Sequence, residues 1–426
     1  PDNDKFVKLP KRLKANKVLI QKSGYFSRSA KANKKDLELI FKCAEKAVSS
    51  AINKQNGVVG LDEDNNNELL WEELISRGGF SNIYSNVYHK NPPTSIEAIG
   101  EVSKVKLTSR ENKHRHRHIL TSKVKSLGDC ISSRVPLLFN DDIIISKAHV
   151  EKSMVSPYKN GCADEVLFFH EGKGEFRSNF GNIDLKAGDY LVIPRGVIWE
   201  IHTQTKMKIF IIESSAPIET PDRYRNNFGQ LMEHSPFSER DITVPKFIGP
   251  VEDRSVEVQV RLKNGIQTYT YKHHPFDIVG WDGFYFPYVF NIHDFMPITG
   301  KIHQPPPVHQ TFQSKGFVIC SFVPRLFDYH PNSIPAPYAH SNVDSDEVIY
   351  YAEGEFMSRK GIEKESVTYH PMGLPHGPQP GKIEESIGVK GTNELAVMID
   401  TFSTLNLSEE ALKIDDEKYP YSWLNK

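Results

Sequence analysis

The chain has 426 residues, and its 53 Lys and Arg against 54 Asp and Glu give a formal net charge of −1 at pH 7. This balance disfavours a protein held on nucleic acid or on a membrane by bulk charge, and 38% hydrophobic residues are too many for a disordered chain. No apolar run nears the roughly 18 residues that cross a bilayer, the first residues lack a signal-peptide core, and the Cys residues form no CxxC pair, so we expect a cytoplasmic globular protein.

Residues 1–69 differ in character from the rest of the chain. Residues 1–35 carry eleven Lys and Arg against two Asp, which predicts a solvated basic tail and not a nucleic-acid reader, since interleaved aromatic side chains are missing. Residues 36–53 then place six apolar side chains at the spacing of one amphipathic helix, namely Leu37, Ile40, Phe41, Ala44, Ala47 and Val48. We expect this segment to be basic, partly helical and the least regularly structured part of the chain.

After residue 70 the pattern changes to short apolar or alternating runs of four to eight residues, separated by Gly, Pro, Asn and Asp. Examples are DDIIIS, EVLFFHEG, DYLVIPRG, KIFIIES, VEVQVRL, EVIYYAEG and NELAVMIDTF. Such runs are typical of antiparallel β-sandwiches and barrels and not of βαβ units. The sequence therefore predicts a mostly β protein with a short helical N-terminal segment.

Two stretches of the chain share one pattern. DEVLFFHEGKG and DEVIYYAEGEF each place a Gly seven residues after a Glu, from Glu165 to Gly172 and from Glu347 to Gly354. Some twenty residues further on, each copy has a Pro-x-Gly turn, at 194–196 and 371–373. The repeat predicts two related small β-barrels, and its spacing resembles the two motifs of the cupin superfamily. We therefore expect a bicupin of the jelly-roll type, with one barrel in residues 70–265 and the other in residues 266–426.

The two copies differ where a metal would bind. The second has His340 seven residues before Glu347 and His376 three residues after its Pro-x-Gly turn, and two imidazoles with one carboxylate suit Fe(II) with open positions for substrate and O2. The first copy has Tyr158 and Trp199 at the corresponding places, so we expect no metal there. The alternative is that the two histidines are merely surface or core residues, which their joint spacing disfavours.

From about residue 70 to 426 the sequence resembles the homogentisate 1,2-dioxygenases, in particular their bacterial form. The resemblance lies in FSNIYSNVYHKNPPT (80–94), RVPLLFNDD (134–142), GDYLVIPRG (188–196), FGQLMEHSPFSERDI (228–242), HHPFDIVGWDGFYFP (273–287), ITGKIHQPPPVHQTF (298–312), ICSFVPRLFDYHP (319–331), HSNVDSDEVIYYAEGEFMSRKGI (340–362) and HPMGLPHGP (370–378). It implies an Fe(2+)- and O2-dependent cytoplasmic enzyme of tyrosine and phenylalanine breakdown, which opens the ring of homogentisate to give maleylacetoacetate. It also implies a homo-oligomer, a trimer or hexamer.

The resemblance assigns roles to particular residues. His340, Glu347 and His376 match the iron ligands, His303 matches the base that contacts the substrate phenol, and His370 matches a histidine that binds substrate near the iron. Histidine suits the proton transfer because it changes charge near neutral pH. For His370 a packing role is an equal alternative, and for His303 a structural role at a turn is the weaker one.

The sequence departs from the family pattern at two further positions that would contact substrate. Asn342 stands where a typical cupin has the second His of HxH, which favours three protein ligands over four. Phe356 stands where family members often carry a substrate-contacting Tyr. One hydrogen bond to substrate is therefore missing or supplied elsewhere.

Other interpretations stay open at this stage. An enzyme for a related aromatic such as gentisate, or a non-enzymatic bicupin, would share most of these motifs. Residues 24–64 resemble the C-terminal part of phosphofructokinases, which suggests a fusion, a mis-joined reading frame or a coincidental helix, but the phosphate-binding loops of a phosphotransferase are missing. The KHRHRH stretch (113–118) alternates His and Arg, and we expect it to be a solvated basic strand or a subunit contact.

Overall fold

The structure is a computed structural model, and it describes residues 34–53, 58–61, 67–105 and 107–424. The chain divides into two compact units, residues 1–69 and 70–426. In the first unit, α1 spans Lys34–Ile52 and β1 spans Val58–Leu61, so the predicted helix is confirmed. The basic tail before it lies outside the described residues.

The second unit consists mostly of short strands, which confirms the predicted mostly β architecture. Its strands are β2 (Asn67–Ser76, which begins just before the boundary), β3 (Tyr84–His89), β4 (Ile96–Lys104), β5 (Arg117–Leu120), β6 (Leu127–Gly128), β7 (Val135–Phe139), β8 (Ile143–Val150), β9 (Tyr158–Asn160), β10 (Asp164–Glu171), β11 (Gly174–Ser178), β12 (Gly181–Leu185), β13 (Asp189–Ile193), β14 (Ile198–Thr203), β15 (Met207–Ser214), β16 (Ile242–Thr243), β17 (Val256–Leu262), β18 (Gly265–Tyr271), β19 (Ile278–Gly283), β20 (Tyr288–Asn291), β21 (Gln310–Gln313), β22 (Phe317–Phe322), β23 (Arg325–Leu326), β24 (Asp346–Glu353), β25 (Ser366–His370), β26 (Gly391–Thr392), β27 (Leu395–Thr401) and β28 (Asn406–Leu407). Its helices are α2 (Lys382–Ser386) and α3 (Glu409–Lys413). Within the described ranges, no helix has the length and apolar character that a membrane crossing requires.

Three sheets form the body of this unit. The central sheet has the order β16-β20-β13-β10-β15-β8-β7-β28 with β6 beside β8, the outer sheet has the order β12-β11-β14-β9-β17-β18-β4, and the third sheet has the order β21-β22-β27-β24-β25-β5. The central strand β10 lies between β13 and β15, as β24 lies between β25 and β27, and all four pairings are antiparallel. This repeated strand order confirms the duplication and the bicupin fold.

The central sheet is covered on both faces, so β10 and β15 are buried at nearly every position. One face packs against the outer sheet through residues such as Leu167, Phe176 and Trp199. The other face packs against the third sheet, where the Phe210 and Tyr350 rings stack with centroids 4.5 Å apart. Successive side chains of a strand point to opposite faces. Glu165 therefore lies on the Leu167 side, inside the first barrel.

Strands from either side of residue 265 contribute to both halves of the unit. β20 extends the central sheet beside β13, and β5 extends the third sheet beside β25. The division into residues 70–265 and 266–426 stays a prediction, since these exchanges tie the two barrels together.

A buried histidine in the sheet of β2, β3 and β19 leads to the first testable prediction. His89 Nδ1–H donates to Asp277 Oδ1 at 2.6 Å and Nε2–H donates to Glu73 Oε2 at 3.1 Å. Burial lowers its pKa, but the two carboxylates outweigh burial and raise the pKa of His89 to about 9. Because the folded-state value lies above the unfolded value of about 6.5, this ion pair contributes fully below pH 6.5 and is lost as the pH rises through 9.

We expect the ion pair to add about 3 kcal/mol to the free energy of unfolding at pH 6. This follows from the rise of the His89 pKa from 6.5 to about 9, at roughly 1.36 kcal/mol per pH unit. Urea denaturation of the wild type and of His89→Gln between pH 6 and pH 10 measures it. The difference between the urea midpoints of the wild type and of His89→Gln should be largest at pH 6 and should approach zero toward pH 10. A gap that stays constant across this range would show that the charge on His89 does not contribute.

Candidate metal centre

Two neighbouring segments of the second barrel bring His340, Glu347 and His376 together. Glu347 lies on β24, while His340 and His376 pair with each other just outside the regular strands: the His340 N–H donates to His376 O at 2.8 Å and the His376 N–H donates to His340 O at 2.9 Å. One nitrogen or oxygen atom of each side chain lies within 4.8 Å of the other two. The three residues predicted as ligands thus form one cluster.

The donor set of this cluster fits a divalent cation. Glu347 and His376 are buried and His340 is half-buried, and the buried His376 Nε2 has no hydrogen-bond partner although it lies 3.4 Å from Glu347 Oε1. A buried nitrogen lone pair facing a carboxylate is costly unless a proton or a metal ion lies between them. Two imidazoles and a carboxylate without a thiolate are the ligands of non-haem iron sites with open positions.

His370 forms a hydrogen bond with Glu347, one of the candidate metal ligands. Its Nδ1–H donates to Glu347 Oε1 at 2.6 Å, and its Nε2 accepts from the Tyr419 hydroxyl at 3.1 Å. Burial lowers the pKa of His370 to about 3, so the ring is neutral. Burial alone would raise the pKa of Glu347, but the hydrogen bond from His370 and the proximity of His376 outweigh it and hold that pKa well below its usual value. His370 thus fixes one orientation of an anionic Glu347. The substrate contact predicted for His370 would require these bonds to rearrange, and it stays a prediction.

We expect His370→Gln to weaken Fe(II) binding by about 10- to 100-fold, because partners that orient a metal ligand typically contribute that much to affinity. Chelator competition under anaerobic conditions measures the change. His118→Gln is a matched control, because His118 is equally buried and its ring lies 5.4 Å from Tyr419, but its Nε2 bonds to the Ser366 hydroxyl and not to a ligand. Equal iron affinity of the wild type and His370→Gln would contradict the role given to His370.

A cavity of about 830 Å³ opens onto the cluster. His303, Asn342 and Phe356, all predicted to serve catalysis or substrate binding, line it together with His340 and Glu347. Five of the seven predicted site residues therefore line this one cavity. His376 and His370 lie behind that wall, as buried residues.

His303 is held in one orientation by a carboxylate. Its Nδ1–H donates to Asp328 Oδ2 at 3.1 Å, and its side chain is 67% exposed. With Nδ1 carrying the proton, Nε2 keeps a free lone pair. This arrangement allows His303 to accept a proton from a molecule in the cavity.

Asp400 is a cavity residue that the sequence reasoning missed. It lies opposite Glu347 in the β24–β27 register, and its Oδ1 is buried without a hydrogen-bond partner. Burial, with the charge of Glu347 adding to it, raises the pKa of Asp400 to about 7. No local motif marks this position, since it becomes visible only when the two strands pair.

The prediction that the KHRHRH stretch is a solvated strand is wrong for Arg117 and His118, while Lys113 and His114 are exposed. Arg117 and His118 are buried, because β5 forms the edge of the third sheet beside β25. His116 Nε2–H donates to Pro375 O at 3.1 Å, and its ring lies edge-on to those of His370 and His376 at 5.5 and 6.1 Å. The alternation of the histidines was the available signal, since it fits one face of a strand.

The corresponding place in the first barrel contains an arginine. Arg134 Nη1 donates to Glu165 Oε1 at 2.5 Å and lies 3.3 Å from Glu213 Oε1. Tyr158 and Trp199, which take the places of the two histidines, pack edge to face at 5.3 Å. The guanidinium supplies the positive charge that a metal ion would supply, which supports the prediction of a metal-free first barrel.

Comparison with known proteins places the chain among dioxygenases. Residues 129–292 match the family model described as "Homogentisate 1,2-dioxygenase N-terminal". A protein of Saccharolobus solfataricus named "Putative dioxygenase" is 42% identical over 360 residues, which cover 84% of this chain and 94% of that protein. Homogentisate 1,2-dioxygenases of Nitrobacter hamburgensis and Bradyrhizobium diazoefficiens are each 27% identical, over 64% and 59% of this chain and of their own length. The chain thus spans less than two thirds of these two enzymes.

Among solved structures, YlbA from E. coli aligns with a TM-score of 0.32 and 8% identity over 69% of this chain and 93% of its own. A cupin 2 conserved barrel domain protein from Leptotrichia buccalis also has a TM-score of 0.32, with 10% identity over 71% of this chain and 100% of its own. The relatives described above lend no support to the likeness of residues 24–64 to phosphofructokinases. The family match and the long alignment at 42% identity together show that the chain belongs to the homogentisate 1,2-dioxygenase-like family of bicupin proteins.

Proposed function

We propose that the chain is an Fe(II)-dependent ring-cleaving dioxygenase that converts homogentisate and O2 to maleylacetoacetate. The observation that carries the proposal is the joint exposure of His340, Glu347 and His303 to one cavity of about 830 Å³. The homogentisate 1,2-dioxygenases among its relatives support the substrate. Cytoplasmic location, assembly into trimers or hexamers, and the absence of nucleic-acid or membrane partners stay predictions.

Different residues of the chain have different roles in such a reaction. A ferrous ion held by His340, Glu347 and His376 would supply open coordination positions for substrate and O2 and would pass electrons from the substrate ring, which is the reductant, to O2. Glu347, kept anionic and oriented by His370, anchors that ion. His303 Nε2 accepts the proton of the substrate phenol, while Asp328 keeps the ring in the required tautomer and stabilises its positive charge.

Phe356 distinguishes this cavity from that of family members with a Tyr at the same place. Its ring packs edge to face on Tyr351 with centroids 4.3 Å apart, and it presents an apolar surface to the cavity. An aromatic ring of the substrate fits such a surface, but Phe356 gives no hydrogen bond. Gentisate, a shorter hydroquinone carboxylate, is therefore the second candidate substrate.

The test loads the protein with Fe(II) under anaerobic conditions and then adds homogentisate or gentisate and air. We expect one O2 consumed per homogentisate, with the absorbance of the ring-opened product, and slower turnover of gentisate. Faster turnover of gentisate would replace the proposed substrate. If the iron-loaded protein consumes no O2 with either compound, a non-enzymatic bicupin is favoured.

His303→Gln should bind iron as tightly as the wild type and lose about 10²- to 10⁴-fold in turnover, the usual contribution of a general base. His330→Gln is the matched control, because His330 lines the same cavity and its Nδ1 accepts only the backbone N–H of Asn332. Unchanged turnover in His303→Gln would remove His303 from the mechanism.

A further inference from the structure

One wall of the metal-site cavity carries a buried arginine. Arg359 follows β24 in the chain, belongs to the cavity wall together with Glu347, and is only 7% exposed. Since it is a wall residue, the exposed part of its side chain faces the cavity. The cavity therefore has a cationic group beside the metal cluster.

Arg359 forms no ion pair with a carboxylate in the part of the chain that the structure describes, although the charge of Glu347 acts on it from a longer distance. Nη1 donates to the carbonyls of Gly377 at 2.5 Å and Ser358 at 3.4 Å, and the guanidinium lies 5.7 Å from the centroid of the Trp423 ring. Nε is enclosed and has no acceptor. A buried guanidinium whose hydrogen-bond acceptors are all neutral can gain charge-assisted hydrogen bonds from an incoming carboxylate.

A second arginine that lines the cavity, Arg325, differs from Arg359 because it has a carboxylate partner. Arg325 donates from Nη2 to Glu394 Oε1 at 2.8 Å, and both residues line the cavity. The charge of Arg325 is thus satisfied within the protein, while that of Arg359 is not. Of these two cations, Arg359 is the one able to pair with a ligand.

The balance of charges at the cluster also favours an anionic ligand. A ferrous ion with Glu347 and neutral histidines carries a charge of +1, and Arg359 raises it to +2. An ionised Asp400 would reduce this to +1. A molecule with a carboxylate and an ionisable phenol could supply up to two negative charges, which a neutral hydroquinone with the same ring would not.

We propose that Arg359 receives the carboxylate of the substrate and makes the enzyme selective for aromatic carboxylates over neutral hydroquinones. The inference rests on the proposed function, since it assumes a hydroquinone substrate in this cavity. Guanidinium suits the task because its planar N–H groups match a carboxylate in geometry. A structural role, holding Trp423 and Gly377 in place, is the alternative that the experiment has to exclude.

The experiment measures anaerobic binding of two ligands, homogentisate and its methyl ester, to the iron-loaded protein by calorimetry. In Arg359→Gln, the Kd of homogentisate should rise by about 10- to 150-fold, as expected for the loss of a hydrogen bond to a charged group, while that of the ester should change less than threefold. Arg359→Lys should keep most of the preference for the acid. Arg325→Gln serves as the control, in which the ratio of the two Kd values should stay that of the wild type.

The proposal is wrong, and Arg359 has a structural role, if Arg359→Gln weakens the binding of homogentisate and of its ester equally. The same holds if it lowers the melting temperature and leaves the ratio of the two Kd values unchanged. If Arg359→Gln does not fold, Arg359→Lys decides, because loss of the preference in a folded protein that keeps its positive charge contradicts the carboxylate contact. Failure of the proposed function has a different signature. In that case, the wild type itself consumes no O2 with homogentisate.

Discussion

Glu347→Gln should abolish iron binding and with it all turnover. The variant keeps the size of the side chain and can accept a hydrogen bond from His370, but it removes the negative charge that faces His340 and His376. Even residues that only orient a ligand contribute about 10- to 100-fold to metal affinity, so loss of the anionic ligand should cost more than about 100-fold. Anaerobic chelator competition and metal analysis after desalting measure it, with O2 uptake as the second readout.

The duplicated barrel provides the matched control for this experiment. Glu165 takes the place of Glu347 in the first barrel, is fully buried and faces Arg134 at 2.5 Å. Glu165→Gln should reduce stability but leave about one equivalent of iron bound per chain, because the metal centre lies in the other barrel. Loss of iron from Glu165→Gln at unchanged folding, or full iron content in Glu347→Gln, would show that the centre has been placed in the wrong barrel.

The sequence was sufficient to predict the fold and to single out the three candidate metal ligands that the structure brings together, because both depend on local spacing. Short alternating runs predicted strands, and the repeated Glu-to-Gly and Pro-x-Gly spacing predicted the two barrels. The ligands His340, Glu347 and His376 come from strands and turns whose spacing within the repeat is fixed, so the comparison of the two copies was enough to find them. The departure in the first copy, with Tyr158 and Trp199, followed from the same comparison.

The remaining site residues could not be found in this way because they reach the site through tertiary contacts. Asp400 lies 53 positions after Glu347 and faces it only through strand pairing. His116 directly precedes β5, more than 200 residues before His340, and it joins the site because β5 pairs with β25. Arg359 lies within a motif of the family, but its lack of a counter-anion is visible only once its neighbours are in place. The solvated interpretation of KHRHRH failed because charge alternation alone does not reveal which face a neighbouring strand covers.

The first barrel has a side-chain cation beside its central Glu, at the place where the second barrel has the candidate metal cluster. In the register of both barrels, the central Glu faces a second acid, Glu213 opposite Glu165 and Asp400 opposite Glu347. Two buried acids side by side repel each other unless a positive charge lies near them. In the first barrel Arg134 has this position, with contacts to both acids. The physical requirement is therefore the same, and in the second barrel a bound cation would meet it.

Arg134→Met should consequently destabilise the protein by about 3–5 kcal/mol, the usual cost of removing one partner from a buried ion pair. The side chains of Arg134, Glu165 and Glu213 are at most 9% exposed, so water cannot take over the lost contacts. Because Glu165 loses its charged partner and resists ionisation in the folded variant, while Glu213 keeps Arg261 Nε 3.7 Å from its Oε2, the loss should grow as the pH rises from about 5 to about 8. Urea denaturation of the wild type and the variant at several pH values measures both effects. In the double variant that adds Glu165→Gln, which removes the unpaired negative charge and leaves Glu213 beside Arg261, most of the loss and of its pH dependence should disappear. A double variant as unstable as Arg134→Met would mean that packing of the Arg134 side chain, and not charge, holds the first barrel together.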